Sequence, residues 1–292
     1  MDVWNITKIA DRLEQLNIAI DREAMSLARW IWTEILEFGP SQSQKLPKQT
    51  QERLDEIVER LVNGEPVQYI AGHAWFYGLK FKVNQDVLIP RPETEELVEW
   101  ILSDVRLLPA RDIRILDIGT GSGCIAVVLK KHLGHRAAIT AMDISTRALQ
   151  VAFDNSQTMG TEINFCQRDF LTEGLTGLGH FDIIVSNPPY ISPEIAGEQI
   201  IHQLKYEPKE ALFPVGPDPD IFYKKISDVG GDALLEGGSC YLELNEFRSL
   251  PIENCFKKSP WGQREMRIDL QGMPRMLKTV KSPINDQAAE TH

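Results

Sequence analysis

Between positions 113 and 244 five short apolar runs alternate with helical patterns, and this alternation limits the possible folds more than any other feature of the chain. The runs occupy residues 113–118, 138–142, 163–166, 183–186 and 239–244. Strands separated by helices pair in parallel, and right-handed crossovers then lay the helices on both faces of one sheet. The pattern predicts a doubly wound, mostly parallel α/β sheet. Two late runs, 241–244 and 266–270, are candidates for an antiparallel pair at its edge. Ligands of such sheets bind beyond the carboxyl ends of the strands, near the point where strand order reverses.

The residues at those ends are chemically specific. The first run passes into Asp117-Ile118-Gly119-Thr120-Gly121-Ser122-Gly123, followed by a helical stretch from Cys124. A strand, a glycine-rich turn and a helix N-terminus let a ligand approach the backbone closely. A dinucleotide fingerprint would place glycine at 124, where this chain has Cys124, so the spacing points away from NAD. The second run ends at Asp143, whose carboxylate suits the two hydroxyls of a ribose, although capping the following helix is the plain alternative. The third leads to Asp169-Phe170, a carboxylate acceptor for an adenine amino group beside an aromatic surface, or simply a loop carboxylate. No Walker lysine follows the glycines, so the implied ligand contains adenosine without a pyrophosphate.

The fourth run, Phe181-Asp182-Ile183-Ile184-Val185-Ser186, delivers Asn187-Pro188-Pro189-Tyr190. The prolines have fixed φ and no N–H, so the Asn187 side-chain oxygen and the Pro188 carbonyl can face one spot without collapsing onto it. That spot suits a planar NH2 group lying against the Tyr190 ring. A Pro-Pro pair after a strand also serves as a rigid exit turn; its place among three ligand-type strand ends favours the pocket.

Upstream the chain reads differently. Residues 1 to about 70 carry only helical patterns. Asp21 is a candidate cap for a helix with the stripe Ala24, Leu27, Ala28, Ile31, Ile35 and Phe38, and Thr50 for one with Leu54, Ile57, Val58 and Leu61. Residues 41–49 read as a polar loop. Trp4, Trp30 and Trp32 suit a core better than a partner surface. Trp75-Phe76-Tyr77 and Lys80-Phe81-Lys82-Val83, with turn residues Gly78 and Asn84, predict a β-hairpin. Arg91-Pro92-Glu93-Thr94-Glu95-Glu96 then opens a helix, with Pro in its first turn and acids at its positive end.

Composition excludes several classes. The four cysteines are scattered and form no metal-ligand spacing or disulfide framework, which fits a reducing cytoplasm and no metal. No basic-then-apolar leader opens the sequence, and no apolar run nears the roughly 20 residues that span a bilayer. The net charge of -11, without a local Lys/Arg cluster, disfavours direct binding to duplex DNA. The six histidines are scattered; His73, His180 and His202 read as surface or loop residues.

On these residues the chain resembles a class I S-adenosylmethionine methyltransferase, and more narrowly the release factor glutamine N5-methyltransferases, the HemK/PrmC family. The resemblance covers nearly the whole chain. Its most specific parts are Asn187-Pro188-Pro189-Tyr190, the glycine turn with Asp117, and the stretch from Pro66-Val67-Gln68-Tyr69-Ile70 through Ile89-Pro90-Arg91-Pro92-Glu93-Thr94-Glu95. It implies a seven-stranded, mostly parallel sheet with a small all-α N-terminal domain joined by a hairpin. The expected divisions are 1–72, helical and partner-binding; 73–90, hairpin linker; 91–281, methyltransferase; and 282–292, a disordered tail. It further implies the cofactor S-adenosyl-L-methionine, leaving as S-adenosyl-L-homocysteine. Asp117, Gly119, Thr120, Gly121, Ser122, Gly123, Asp143, Asp169 and Phe170 are the expected cofactor residues. Asn187 is expected to touch both cofactor and substrate, and Asn187, Pro188, Pro189 and Tyr190 to hold the acceptor.

The implied acceptor is the Gly-Gly-Gln glutamine of class I peptide chain release factors, with the enzyme a monomer. Two stretches depart from the family pattern: 212–220 lacks the usual Asp-Gly turn, and Glu243-Leu244-Asn245-Glu246-Phe247-Arg248 replaces a Glu-x-Gly followed by Gln. The rival enzyme is an adenine-N6 or cytosine-N4 methyltransferase of nucleic acid, which would use the same pocket but must grip a phosphate backbone. A non-catalytic partner-binding protein and an NAD oxidoreductase are more distant alternatives.

Overall fold

The computed structural model describes residues 3–109, 111–191 and 204–283. His202 and the polar tail from 284 lie outside the described residues. The chain divides into two compact units, residues 1–74 and 75–292.

The first unit is helical. β1 (Val3–Trp4) precedes α1 (Ile6–Gln15) and α2 (Asp21–Trp30), whose path continues as one π-helical turn over Ile31–Ile35. β2 (Gln44–Lys45) pairs antiparallel with β1 inside the stretch expected to be loop. α3 (Lys48–Val62) and α4 (Val67–Ala71) complete the unit. Trp4, Ile9, Leu13, Trp32, Leu54 and Ile57 meet in its core, and the Trp32 Nε1–H donates to the Gly39 carbonyl at 3.0 Å. Trp30 instead stacks on His73, which is half-buried and bonded to Glu34 rather than a surface residue. Neither expected cap forms. Asp21 has φ of 47 and makes no capping bond, while Thr50 lies inside α3, which starts behind Pro47.

A hairpin follows, β3 (His73–Phe76) and β4 (Leu79–Lys82), turned at Tyr77 and Gly78, both with positive φ, and the second unit begins within it at Trp75. Phe76 and Phe81 are buried in the core of this unit. α5 (Pro92–Leu107) follows, then β5 (Ile113–Ile118), α6 (Cys124–Leu133), β6 (Ala137–Asp143), α7 (Thr146–Thr158), β7 (Asn164–Gln167) and α8 (Phe170–Glu173). β8 (Phe181–Ser186), α9 (Lys209–Leu212), α10 (Ile221–Ala233), β9 (Leu234–Glu243), α11 (Ser249–Cys255), β10 (Trp261–Ile268) and β11 (Pro274–Lys281) complete it.

The strands form one seven-stranded sheet in the order β10-β11-β9-β8-β5-β6-β7. β5 to β9 pair in parallel, and β11 is antiparallel to both β9 and β10. The antiparallel part therefore differs from expectation. Residues 241–243 end β9, which is parallel to β8, and the edge hairpin is made by β10 and β11. Every residue of β8 is buried, as a strand covered on both faces requires. Ile113 and Ile115 of β5 point to a core shared with Leu97, Trp100 and Val128; Leu116 and Ile118 point to the opposite core, with Tyr223, Ile226 and Ile252.

One glycine shows how tightly this layer closes. Gly123, with φ of 78, caps α6, and a Cβ there would lie 3.0 Å from the Ala152 Cβ and 3.1 Å from its Cα. A Cβ on Gly119, at φ of 72, would meet nothing within 4 Å. Gly119→Ala should lose about 1–2 kcal/mol for the left-handed backbone alone. Gly123→Ala adds overpacking and should lose about 2–4 kcal/mol, the order of the two being read by urea unfolding.

Candidate functional site

Strand register builds the site. Ile118 pairs with Met142 on one side and with Ser186 on the other, and Ser186 pairs with Leu242. One residue further along, Glu243, Asn187, Gly119 and Asp143 therefore leave four adjacent strands on the same rung of the carboxyl edge. The Ser186 hydroxyl donates to the Ile118 carbonyl at 2.7 Å and pins the two central strands where they part.

On the β5 and β6 side, the N–H groups of Gly119 and Thr120 both donate to the Met142 carbonyl at 2.9 Å. Gly121 N–H donates to Asp143 Oδ2 at 2.9 Å, and Asp143 Oδ1 accepts from Ser145 N–H. Asp143 is thus the turn acceptor before α7, and Ser145 is the residue that caps that helix. Asp117 is fully buried; its Oδ2 takes the Thr120 hydroxyl at 2.6 Å and its Oδ1 has no hydrogen-bond partner. Ala126 N–H comes close enough to favour the charged carboxylate weakly without an ordinary bond. Burial pushes the Asp117 carboxyl up to about 7, with the Thr120 bond opposing and the Asp143 charge reinforcing. Burial likewise raises Asp143, against its backbone bonds.

This arrangement fits an adenosyl sulfonium cofactor. Side chains at Gly119 and Gly121 would fill open space above the turn, and two carboxylates, one with an orphaned oxygen, face the same turn. Ser122 is buried beside them, and its carbonyl accepts from Asn155, whose amide also exchanges two bonds with the Lys82 backbone. Asp169 caps α8 by accepting from Leu171 and Thr172, and Phe170 is buried, stacked on Phe222 at 6.4 Å.

On the β8 and β9 side, a small cavity of about 50 Å³ is lined by Leu88, Arg91, Asn187, Pro188, Tyr190 and Leu212. The Asn187 Nδ2 donates to Thr94 Oγ1 at 3.1 Å, and Thr94 donates to Glu243 Oε2 at 2.6 Å. Tyr190 donates to the other oxygen, Oε1, at 3.2 Å, and its carbonyl accepts from Asn245. Among the described residues, Asn187 Oδ1 and the Pro188 carbonyl have no donor. Glu243 is 1% exposed; burial raises its carboxyl, while the Thr94 and Tyr190 bonds and the Arg275 charge favour ionisation. Burial, aided by Glu243, keeps the Tyr190 phenol protonated. Pro189 is half-buried behind this wall.

Several partners escaped sequence reasoning. Thr94 and Glu243 lie 149 positions apart and meet only through the register of β9. Glu207 is buried and accepts from Ile89 N–H and Arg91, so it fastens the Ile89-Pro90-Arg91 segment to the cavity. The two stretches that depart from the family pattern are joined to each other: Arg248 donates to both oxygens of buried Asp220, at 2.7 and 2.5 Å. A larger groove of about 550 Å³ lies at the amino end of β8, beside His180, Lys225 and Asp232, away from all of these groups.

Comparison with known proteins agrees with this geometry. Residues 6–72 match the PrmC N-terminal domain family, and residues 101–217 match the methyltransferase small domain family. Over 224 residues the chain is 40% identical to the release factor glutamine methyltransferase of Flavobacterium psychrophilum, covering 76% of this chain and 78% of that protein. The chain belongs to the release factor glutamine methyltransferase family. The family member from Bacteroides thetaiotaomicron is also 40% identical, over 78% of this chain and 80% of its own. Solved structures share the fold at lower identity. A methyltransferase from Pyrococcus furiosus superposes with a TM-score of 0.51 at 18% identity, covering 81% of this chain and 100% of that one. The hMettl16 catalytic domain gives 0.52 at 15% identity, covering 78% and 82%.

A raised acid binds a proton in the folded protein that the unfolded chain releases. From 3.8 to about 7 the unfolded state therefore holds fewer protons, and the Asp117 contribution to stability falls as pH rises through that window. Unfolding free energies of the cofactor-free protein at several pH values should show this decline, and Asp117→Asn should flatten it.

Proposed function

We propose that the chain transfers the methyl group of S-adenosyl-L-methionine to the side-chain amide nitrogen of glutamine, within the Gly-Gly-Gln motif of class I peptide chain release factors. The observation that carries this reading is a pair of acceptors without a donor among the described residues, Asn187 Oδ1 and the Pro188 carbonyl, at one small cavity in a chain of this family. The bound cofactor supplies an electrophilic methyl on a sulfonium. Asp117 and Asp143 would hold its cationic and ribose portions, Gly119 to Gly123 would admit it against the backbone, and Phe170 would serve its adenine side.

A carboxamide nitrogen is a poor nucleophile because its lone pair is delocalised into the carbonyl. Asn187 and Pro188 each accept one of its two hydrogens, drawing electron density toward nitrogen and fixing the direction of the lone pair. Tyr190 packs on the amide plane with its hydroxyl held away by Glu243. Neutral hydrogen bonds contribute only about 0.5–1.5 kcal/mol each, whereas orientation supplies up to roughly 7–11 kcal/mol, so positioning dominates. The methylated amide cation passes its proton to water, and no side chain of the site needs to act as base. The helical unit of residues 1–74 is the surface assigned to the release factor.

The same pocket would accept an exocyclic amine of a base. The chain's net charge of -11 opposes the phosphate backbone such a substrate carries, so the protein amide is preferred. Mass spectrometry of a release factor after reaction should find one methyl on the Gly-Gly-Gln glutamine; methylated duplex DNA and an unmodified factor would reverse the assignment. Asn187→Ala should lower kcat by roughly 10²-fold or more with little change in cofactor Kd. Asp143→Ala should act mainly on that Kd, as measured by calorimetry.

A further inference from the structure

The Asn187 amide has two ends of nearly equal size, and only one serves the reaction. With oxygen toward the cavity it accepts an N–H from the incoming amide; with nitrogen outward it meets that N–H donor to donor. Pro188 cannot make the choice, because its carbonyl is fixed in the backbone. The side-chain partners make it. In the hydrogen-bond geometry Glu243 is the acceptor on both sides, taking the Thr94 hydroxyl hydrogen on Oε2 and that of Tyr190 on Oε1. Thr94 has one hydroxyl hydrogen, and that hydrogen is committed to Glu243 at 2.6 Å. Toward Asn187, 3.1 Å away, Thr94 therefore presents only lone pairs. The NH2 end of Asn187 is the end that can face it, and Oδ1 is left for the cavity.

We infer that Glu243 is a positioning residue that, through Thr94, fixes the Asn187 carboxamide with its oxygen toward the acceptor. The relay is sequestered from competing water: Glu243 is 1% exposed and Thr94 3%. Its two ends are rigid. Thr94 sits in the first turn of α5, and Glu243 is the last residue of β9, one past the rung that pairs Leu242 with Ser186. Glu243 does not touch the acceptor; Asn187 does. Without the carboxylate the hydrogen-bond direction reverses. The Thr94 hydroxyl, having lost its acceptor, turns onto Asn187 Oδ1, and the amide swings its NH2 into the cavity. A buried hydroxyl left without an acceptor costs more than this reversal, so the wrong orientation becomes the populated one.

The inference rests on glutamine methylation as the reaction, and its test is a cycle of variants assayed on a release factor. Glu243→Met should lower kcat at least about tenfold with cofactor Kd unchanged. Thr94→Val, which removes the ordering group without supplying a misdirecting donor, should lose only a few-fold. The double variant should recover kcat above Glu243→Met, because the hydroxyl that misdirects Asn187 is gone. A structural role for the pair predicts the opposite, a double variant as poor as the worse single one or poorer, and that result overturns the inference. If Glu243→Met fails to bind cofactor, the isosteric Glu243→Gln takes its place in the cycle. Its loss of kcat should then vanish in the Thr94→Val background, and an equal loss in both backgrounds overturns the inference. A wild-type protein that leaves the glutamine unmethylated while methylating DNA overturns the substrate reading and this inference together; intact wild-type activity with an additive cycle overturns only the inference.

Discussion

The parallel pairing of β5 with β8, in the register that sets Ile118 beside Ser186, is the constraint on which the site depends. From that one rung the glycine turn and the Asn-Pro-Pro-Tyr segment leave the sheet side by side, and β6 and β9 add Asp143 and Glu243 on the flanks. Parallel strands place all their carboxyl ends at one edge, so a cofactor site and an acceptor site are brought together without any loop crossing the sheet. A slip of one residue in β8 would exchange the side chains facing its two cores and carry Asn187 away from both neighbours. The continuous burial of β8 makes such a slip costly, and the Ser186 bond to Ile118 marks where the two strands diverge.

Much of this was legible beforehand because parallel strands, covered on both faces, read as unbroken apolar runs. Asp117, Gly119, Asp143 and Asn187 stood out because each follows or ends such a run, where solvent-facing polar groups need a reason. β11 did not stand out. It begins at Pro274 and alternates apolar residues with Arg275, Lys278 and Lys281, whose long side chains hide a strand pattern; Lys278, for instance, is held by Asp104. Caps were misread where backbone conformation overrode residue type: Asp21 has the right side chain in a left-handed conformation, and Pro47 starts α3 where Thr50 was the better-looking cap.

The polar half of the site was the least legible. Asn155 and Glu207 lie in segments that drew no attention, Thr94 and Glu243 in stretches noted for other reasons, and nothing local distinguishes the four from a solvated face. Their buried bonds join positions 33, 149 and 116 apart, as in Asn155 to Ser122, Thr94 to Glu243 and Arg91 to Glu207. Pattern reading works along the chain, whereas these contacts arise across it. That Asn187 Oδ1 and the Pro188 carbonyl meet no donor among the described residues is legible only after those contacts are known, since a donor satisfied elsewhere is what leaves an acceptor available.

The Asp220 to Arg248 pair couples the two atypical stretches to each other. Asp220 is almost fully buried, and a buried carboxylate stripped of its guanidinium is strongly disfavoured. The two atypical stretches thus share one electrostatic tie: a neutral residue at 248 would strand the buried Asp220 charge, whereas the partly exposed Arg248 could still reach water if residue 220 were neutral. Any exchange of the 243–248 stretch therefore has to keep a cation at 248 or remove the carboxylate at 220 with it.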